Sequence, residues 1–442
     1  MNKDGLDDFF VCGARGQPGC LMIQTKDGKF INSDTAVFNK NRSSEGVDAD
    51  FFDANNDGYL DLYTVSGGNV YEDGNPNLAD HLYMNDGRGN FKEVIDALPQ
   101  LLTNKSCVSF ADIDKDGDVD LFVGCLTNAR VYGIPQSSYL LLNDSKGHFK
   151  LSRESVIDLK EIGMVTSSSF VDINNDGWMD LVVAGEWMPV KVFINNKGML
   201  VSTDISQSSG LWQTIYAADV NGDGYTDILA GNWGHNSKLY AGKNGPLKLY
   251  VKDFDKNGTV EQVMAYTIDG QEYTFMPKDE LEQSLPVIKK AYLTYSEVAG
   301  KTVQYMFDDL FNAYKELKAE TLASSCFIND GKGNFKRTDL PQDLQLAPVF
   351  AFAPFTYNNT NTYLGAGNFY GVFPYEGRYD ALPPTFFSFK KQTGFDFVSN
   401  LSDIAGEVRD AKWLHTAKNG NILIVARNND SLVFYGVKNG KL

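Results

Sequence analysis

The chain has 442 residues, of which 43% are hydrophobic and 13% aromatic, so it is long enough to bury a large core. The high aromatic content and the weak helical signal favour an all-β fold. A formal net charge of −17 argues against a nucleic acid partner, and no segment is long and apolar enough to span a membrane.

A nine-residue acidic loop recurs along the chain. Complete copies occupy residues 53–61, 112–120, 172–180 and 219–227, and a weaker copy occupies 253–261. Each copy has oxygen-bearing side chains at positions 1, 3, 5 and 9 and a glycine at position 6. A further copy lacks its start, because Asn2 already stands at position 3. We therefore expect this chain to be part of a longer protein.

The spacing of these oxygens fits calcium, which takes about six to eight oxygen ligands. A glycine at position 6 can adopt positive φ, so the loop curls and the oxygens of positions 1, 3 and 5 converge. The carbonyl of position 7 then points inward, and its side chain is free to vary. The first half resembles an EF-hand loop, whereas the closing carboxylate comes at position 9 and not at position 12.

We predict about four or five structural Ca²⁺ ions. Asp-Gly and Asn-Gly also mark ordinary turns, but the repetition of one ligand pattern favours the metal. The predicted ligands, with position 7 contributing a backbone carbonyl, are Asp53, Asn55, Asp57, Tyr59, Asp61, Asp112, Asp114, Asp116, Asp118, Asp120, Asp172, Asn174, Asp176, Trp178, Asp180, Asp219, Asn221, Asp223, Tyr225, Asp227, Asp253, Asp255, Asn257, Thr259 and Glu261.

Short apolar runs follow the loops, as in Leu62–Val65 after the first complete copy, and they read as buried strands. Asn/Asp/Gly hairpins recur between the loops, for example at residues 82–91, 141–149 and 327–335. One repeat is thus strand, acidic loop, strand, connection, strand, hairpin and strand. Four strands per unit, at periods of about 50 residues, are typical of a β-propeller of four-stranded antiparallel blades.

The chain divides into eight such segments, which are 1–33, 45–96, 105–152, 165–204, 212–245, 246–340, 346–398 and 405–442. The first and last segments are incomplete. If they share one blade, residues 1–442 form a single seven-bladed β-propeller domain, which we favour. Eight blades remain the alternative.

The loops, the glycine-ended strands and the Asn-Asp-Gly-x-Gly-x-Phe hairpins resemble the FG-GAP/VCBS repeat family, whose fold is that of integrin α-subunit heads. The pattern is similar to bacterial secreted or surface VCBS-repeat proteins, and segments 185–189 and 425–430 also fit that group. The resemblance covers nearly the whole chain and implies a calcium-binding β-propeller.

Three regions depart from the repeat. Residues 276–321 have i, i+3, i+4 apolar spacing, which predicts a small helical insertion within one blade, either covering the blade edge or docking a partner. The loop position at residues 354–363 has no carboxylates, and residues 408–420 have lost the motif. We predict no metal in the loop at 354–363, and we expect the blades of both regions to be held by packing alone.

A ligand would bind on the face opposite the calcium loops, because the connections between second and third strands open there. Those connections carry aromatic, arginine and asparagine side chains, which suit a carbohydrate or a peptide. Trp187 and Trp233 could instead pack between blades, and Arg130 and Arg378 could pair with local carboxylates. The candidates are Arg15, Tyr71, Arg130, Trp187, Trp233, His235, Tyr370, Arg378, Tyr379 and Asn428.

These features favour a non-catalytic, calcium-stabilised propeller that binds a glycan or an extracellular protein. The alternatives are a carbohydrate-active enzyme, such as a polysaccharide lyase or hydrolase, and a purely structural assembly domain. The histidines are scattered and no nucleophile elbow is present, so no catalytic residue is predicted.

Loops of modest affinity suit millimolar calcium outside the cytoplasm. We therefore expect an extracellular, cell-surface or periplasmic location. The five cysteines leave open a Cys107–Cys125 or Cys12–Cys20 disulfide or free thiols.

Overall fold

A computed structural model describes residues 1–33, 36–152, 159–241, 244–357, 360–372 and 377–436. The all-β fold is confirmed, since the described residues form a succession of antiparallel sheets. In the seven sheets numbered below, strands that follow one another along the chain are hydrogen-bonded neighbours. We number seven of these sheets in chain order.

Sheet 1 comprises Phe9–Val11, Cys20–Gln24 and Phe30–Asn32. Sheet 2 comprises Gly46–Phe52, Asp61–Ser66, His81–Asn85 and Phe91–Glu93, and sheet 3 comprises Lys105–Ala111, Asp120–Cys125, Tyr139–Leu142 and Lys150–Leu151. Sheet 4 comprises Met164–Val171, Asp180–Met188, Lys191–Asn196 and Met199–Asp204, and the short strand Gly210–Leu211 pairs with the second of these.

Sheet 5 comprises Thr214–Ala218, Asp227–Gly231, Ser325–Asn329 and Phe335–Asp339. Sheet 6 comprises Val349–Tyr357, Thr360–Gly367, Thr385–Lys390 and Gly394–Asn400, and sheet 7 comprises Val408–Thr416, Gly420–Arg427 and Val433–Gly436. A two-stranded ladder joins Thr127–Asn128 to Val131–Pro135. Short helical turns lie at Ala36–Asn39, Pro76–Leu78 and Gln342–Gln345.

The first strands of sheets 2 to 7 pack along one another in chain order. In sheets 2 to 5 the acidic loop joins this strand to the second strand, which is almost entirely buried. Large apolar side chains between successive sheets form the core; Phe122, Phe193, Phe327 and Phe386 are inaccessible to solvent. The acidic loops therefore lie together on one side of the described sheets.

Along the chain, a further sheet is inserted between the second and third strands of sheet 5, and we call it the inserted sheet. It comprises Leu247–Lys252, Glu261–Ile268, Gln271–Thr274 and Lys315–Ala319. Helices Lys278–Ser284, Pro286–Ala291, Tyr295–Val298 and Val303–Phe307, with a 3₁₀ turn at Asp308–Leu310, lie between its third and fourth strands along the chain. The division into separate segments 212–245 and 246–340 is therefore wrong, because one sheet draws strands from both.

The helices pack on the inserted sheet through Leu281, Ile288, Met306 and Phe307, which share an apolar cluster with Tyr250. The region 276–321 thus holds short helices and also a strand, Lys315–Ala319. No helix among the described residues is long and apolar enough to cross a membrane.

Among the described residues, the two end segments form separate sheets, whereas we favoured one shared blade. Sheets 1 and 7 each have three strands and pack on each other, with Phe9 and Phe30 against Phe434 at ring-centroid distances of 6.1 and 5.6 Å. Leu414 and Ile424 of sheet 7 belong to the same apolar cluster. The beginning and the end of the described chain therefore lie together. All five cysteines are free thiols, so neither disulfide alternative is formed.

Candidate functional site

The acidic loops are held in one curled conformation by their own side-chain oxygens. In the loop 53–61, Asp53 accepts hydrogen bonds from the backbone N–H groups of Asp57 at 3.1 Å and Gly58 at 2.7 Å. Asp57 in turn accepts the N–H of Tyr59 at 2.8 Å. Gly58 has a φ of 80°, in the left-handed region that glycine adopts without steric cost. The loops 172–180, 219–227 and 253–261 repeat these bonds.

The remaining oxygens of the loops fit a cation. Asp112, Asp114 and Asp116 each offer a carboxylate oxygen within 4.8 Å of the others, and so do Asp253, Asp255 and Glu261. Oδ1 of Asp112 and Oδ1 of Asp118 are buried without a hydrogen-bond partner in the described structure. Buried carboxylate oxygens that lack a donor are costly unless a cation takes that place.

In sheets 2 to 5, the position-9 carboxylate ties the acidic loop to the hairpin of the same sheet. Asp61 accepts the N–H of Ala54 at 3.0 Å through one oxygen and the N–H of Asn85 at 2.8 Å through the other. Asp120, Asp180 and Asp227 make the same pair of bonds. Burial raises the pKa of Asp61 to about 6 and of Asp120 to about 7. Position 9 therefore fastens the loop to the hairpin, a role that the sequence analysis did not assign to it; its role as a calcium ligand stays a prediction.

The hairpin asparagine that follows connects each sheet to the preceding one. Asn143 donates from Nδ2 to the carbonyl of Ala54, position 2 of the preceding loop, at 2.9 Å. Asn195 reaches Ile113 and Asn329 reaches Ile173 in the same way, both at 2.8 Å. Asn85 reaches the carbonyl of Met1 at 3.1 Å. We call this contact the asparagine latch; its signal was present in the sequence, since each Asn opens a hairpin motif.

Gln24 makes the corresponding contact between the two ends of the chain. Its backbone N–H donates to Asp8, the position-9 carboxylate of the truncated loop, at 2.8 Å. Its Nε2 donates to the carbonyl of His415 in sheet 7 at 3.0 Å, and its Oε1 accepts the N–H of Ala417 at 2.9 Å. Sheet 1 is thus latched to sheet 7 as sheets 2 to 5 are latched to their predecessors.

One group of the predicted ligand residues gathers around Glu407, a buried carboxylate that sequence reasoning missed. Glu407 accepts the N–H of Tyr370 at 2.7 Å and Nδ2 of Asn428 at 3.0 Å. Arg409 pairs with it at 2.8 Å. The guanidinium of Arg378 lies over the Tyr370 ring, 4.8 Å from its centroid.

Trp233 lies beside that group, with Phe369 and Tyr379 at ring-centroid distances of 5.3 and 5.7 Å. Its Nε1 is buried and has no hydrogen-bond partner in the described structure. The neighbouring His235 is exposed, and its backbone N–H donates to the carbonyl of Gln345 at 2.8 Å. Residues 373–376, in the connection between Tyr370 and Arg378, lie outside the described residues.

The other candidates lie apart from this group. Arg15 stacks over Tyr71 with its guanidinium 5.9 Å from the ring centroid, and Arg130 pairs with Glu72 at 2.8 Å. Trp187 is only 4% exposed, because its ring belongs to the core beneath the inserted sheet. That burial corrects the expectation that Trp187 lines an open surface. Its Nε1 donates to the hydroxyl of Tyr132 at 2.7 Å, and that hydroxyl donates to Glu186 at 2.5 Å.

A family model described as an FG-GAP-like repeat matches residues 1–64 and 172–230. These two stretches carry FG-GAP-like repeats. Both matched stretches contain acidic loops followed by buried strands, so the match confirms the family resemblance drawn from the sequence. No curated protein matches the chain significantly.

Solved structures resemble this chain only distantly. An Agrocybe aegerita lectin, described as recognising non-reducing terminal N-acetylglucosamine, is 13% identical with a TM-score of 0.37, over 90% of each chain. The V. cholerae biofilm matrix protein Bap1 is 12% identical with a TM-score of 0.39, over 100% of this chain and 86% of its own. The exotype rhamnogalacturonan lyase YesX is 11% identical with a TM-score of 0.33, over 98% and 76%. Similarity at this level carries no argument about function.

Proposed function

We propose that the chain is a calcium-stabilised, seven-bladed β-propeller of a secreted or cell-surface protein, which binds a glycan on the face opposite the calcium loops. The observation that supports the scaffold best is the recurring latch, in which one polar side chain joins each of sheets 1 to 5 to its predecessor. Gln24 joins sheet 1 to sheet 7, and the first strands of sheets 5, 6 and 7 pack along one another, so the seven sheets would form a closed ring. Sheets 1 to 7 would then be the blades, and the inserted sheet would stand outside the ring.

Calcium is supported by the donor set of the loops. The side chains of positions 1, 3 and 5 would hold the ion with the carbonyl of position 7, as at Asp112, Asp114, Asp116 and Asp118. A bound Ca²⁺ would neutralise carboxylates that otherwise repel one another. Its role would be structural, because position 9 already fastens the loop to the hairpin.

Calorimetric titration of the chelator-treated chain with Ca²⁺ tests this part. We expect a stoichiometry of about four or five ions and the loss of one ion in Asp112→Ala, since that change removes an oxygen without a protein donor. Asp144→Ala is the matched control, because Asp144 lies in a neighbouring hairpin and accepts bonds from Lys146 and His148 of its own turn. An unchanged stoichiometry in Asp112→Ala would refute the assignment of that loop.

The glycan surface is supported by the residues gathered near Glu407. A ring such as Tyr370 offers an apolar face for a sugar, and the nearby Arg378 and Asn428 offer donors for its hydroxyl groups. Trp233 and Tyr379 extend this surface. Arg15, Tyr71 and Arg130 supply a second, separate set of aromatic and cationic side chains.

A glycan array probed with the calcium-loaded chain tests the surface. We expect Arg378→Ala to weaken the signal without lowering the melting temperature, and Arg337→Ala, on the last strand of sheet 5, to leave the signal unchanged. A chain that binds no glycan but retains a protein partner through Arg378 would identify a protein-binding propeller instead. Cleavage of a bound polysaccharide would favour the enzyme alternative.

A further inference from the structure

The acidic loops of neighbouring sheets touch through a single position that the calcium motif leaves unassigned. This is position 4, which is Lys3, Asn56, Lys115 and Asn175 in the successive loops of sheets 1 to 4. All four residues adopt positive φ, between 58° and 63°. A residue other than glycine adopts this left-handed conformation only at a cost in free energy.

The two asparagines donate to the next loop. Nδ2 of Asn56 lies 3.4 Å from the carbonyl of Gly117, and Nδ2 of Asn175 lies 3.1 Å from the carbonyl of Gly224. Both acceptors stand at position 6, directly before the residue whose carbonyl would bind the ion. The position-4 amide therefore fixes the peptide that precedes a ligand of the neighbouring loop.

The two lysines reach the same place by a different contact. The ammonium of Lys3 lies 3.9 Å from the centroid of the Tyr59 ring, and that of Lys115 lies 4.2 Å from the Trp178 ring. Tyr59 and Trp178 occupy position 7 of the next loop. A cation over an aromatic face is an attractive contact even at an exposed site. Hydrogen bonds and cation–π contacts thus alternate along the series of loops.

The position-4 contacts stop at sheet 5. Position 4 of the loop in sheet 5 is Gly222, which has no side chain, and sheet 6 carries no acidic loop in its sequence. The loop 253–261 belongs to the inserted sheet and stands outside the series. The chain therefore offers, in Lys256, a position-4 residue that can serve as an internal reference for the linked ones.

We propose that position 4 couples the loops energetically, so that calcium binding in sheets 2 to 5 is positively cooperative. This inference rests on the calcium role proposed above. An ion that orders one loop fixes its position-4 residue, which then holds positions 6 and 7 of the next loop in the geometry that binds. The coupling is reciprocal. If calcium in one loop raises the affinity of the next loop, calcium in the next loop raises the affinity of the first by the same factor.

Calcium titration of the wild-type chain and of the variant Asn56→Gly/Asn175→Gly tests the coupling. Glycine copies the natural residue of the last loop and adopts positive φ without strain, so the fold is kept. We expect a Hill slope above one for the wild type. For the variant we expect a clearly lower slope, since only Lys115 still links the loops of sheets 3 and 4, and about fivefold weaker half-saturation, at the lower limit of typical coupling. Circular dichroism of the calcium-loaded variant checks the fold.

Lys256→Gly is the matched control, because it makes the same change in the loop outside the series. It should leave the slope unchanged. A wild-type slope of one, or an equal slope in the wild type and the double variant, would overturn the coupling while leaving calcium binding intact. A chain that takes up no Ca²⁺ would instead overturn the proposed function, so the two failures are distinguishable.

Discussion

Sheets 2 to 5 and sheets 6 and 7 present their first strands in the same way but are held together by different chemistry. In sheets 2 to 5, position-9 carboxylates and asparagine latches connect loop, hairpin and preceding sheet. In sheets 6 and 7, aromatic side chains take over, with Phe355 stacked on Trp413 at 4.6 Å and Phe386 fully buried in the shared core. Polar latches thus add to the apolar packing between sheets 2 to 5, whereas sheets 6 and 7 use such packing without acidic loops.

The stability of sheets 2 to 5 and that of sheets 6 and 7 should depend on different interactions. If the acidic loops hold calcium as proposed, the ion offsets the repulsion between their carboxylates, whereas an apolar interface depends on its packed area. The loopless part should therefore be insensitive to calcium. Four experiments, from the largest expected effect to the smallest, test or refine that contrast.

Removal of calcium should have the largest effect. A site at a free-ion concentration of about 100 times its Kd contributes about 2.7 kcal/mol, so several sites together exceed any single substitution. We expect EGTA to lower the melting temperature strongly, and hydrogen exchange to show that sheets 2 to 5 lose protection while sheets 6 and 7 keep it. Equal loss of protection in both parts would abolish the distinction.

Phe386→Ala should produce the next largest effect, and it should not depend on calcium. The side chain is fully buried between sheets 6 and 7, and removing a ring from such a site costs about 3–5 kcal/mol. Denaturant unfolding with calcium and with EGTA measures the loss of free energy. Phe397→Ala, at a ring that is 45% exposed, is the control. A loss that differs between the two conditions would link this core to the metal.

Asn195→Ala breaks a single asparagine latch, and its effect should be smaller. The buried amide donates to Ile113 and Met179, and leaving these carbonyls without a donor costs about 1–3 kcal/mol. The exposed Asn196→Ala is the adjacent control. Chemical denaturation of both variants measures the difference; equal stability would show that the latch adds no net stabilisation.

The latch also shows how far the sequence predicted this fold. The acidic loops, the strands after them and the Asn-Asp-Gly hairpins were all legible, because each follows from local turn chemistry and alternation. Helices were expected at residues 276–321, but the inserted sheet was not, since the loop 253–261 repeats the spacing of the other loops while lying outside their series. Two local differences mark it: Glu261 replaces the closing aspartate, and no hairpin asparagine follows it.

The candidate ligand surface was predicted less well, for a physical reason. A connection's composition shows which side chains it carries, but whether they are accessible depends on distant segments. Trp187 packs against the inserted sheet, which is remote along the chain, and Glu407 collects partners from two sheets. Neither relation has a local signature.

The smallest expected effect concerns Asp48, a carboxylate of sheet 2 that lies outside the acidic loops. It accepts the N–H of Val108 in sheet 3 at 2.9 Å. Burial, reinforced by Asp50, raises its pKa to about 7 from the usual 3.8. A raised pKa means that the folded state retains the proton longer than the unfolded state. The stability that this proton contributes is complete below about pH 3.8 and is lost as the pH rises towards 7, by at most about 1.4 kcal/mol per pH unit.

Asp48→Asn should remove this decrease of stability with rising pH at saturating calcium. Asp96→Asn, at an exposed carboxylate, should leave the decrease unchanged. The unfolding free energies of the variants are measured between pH 5 and pH 7. Their dependence on pH is compared, and not their absolute values, because Asp48→Asn also alters the hydrogen bond to Val108. If wild type and Asp48→Asn change in parallel with pH, the carboxylate is ionised in the folded state. Sheets 2 and 3 would then be joined by a charged contact of the same kind as the loop carboxylates.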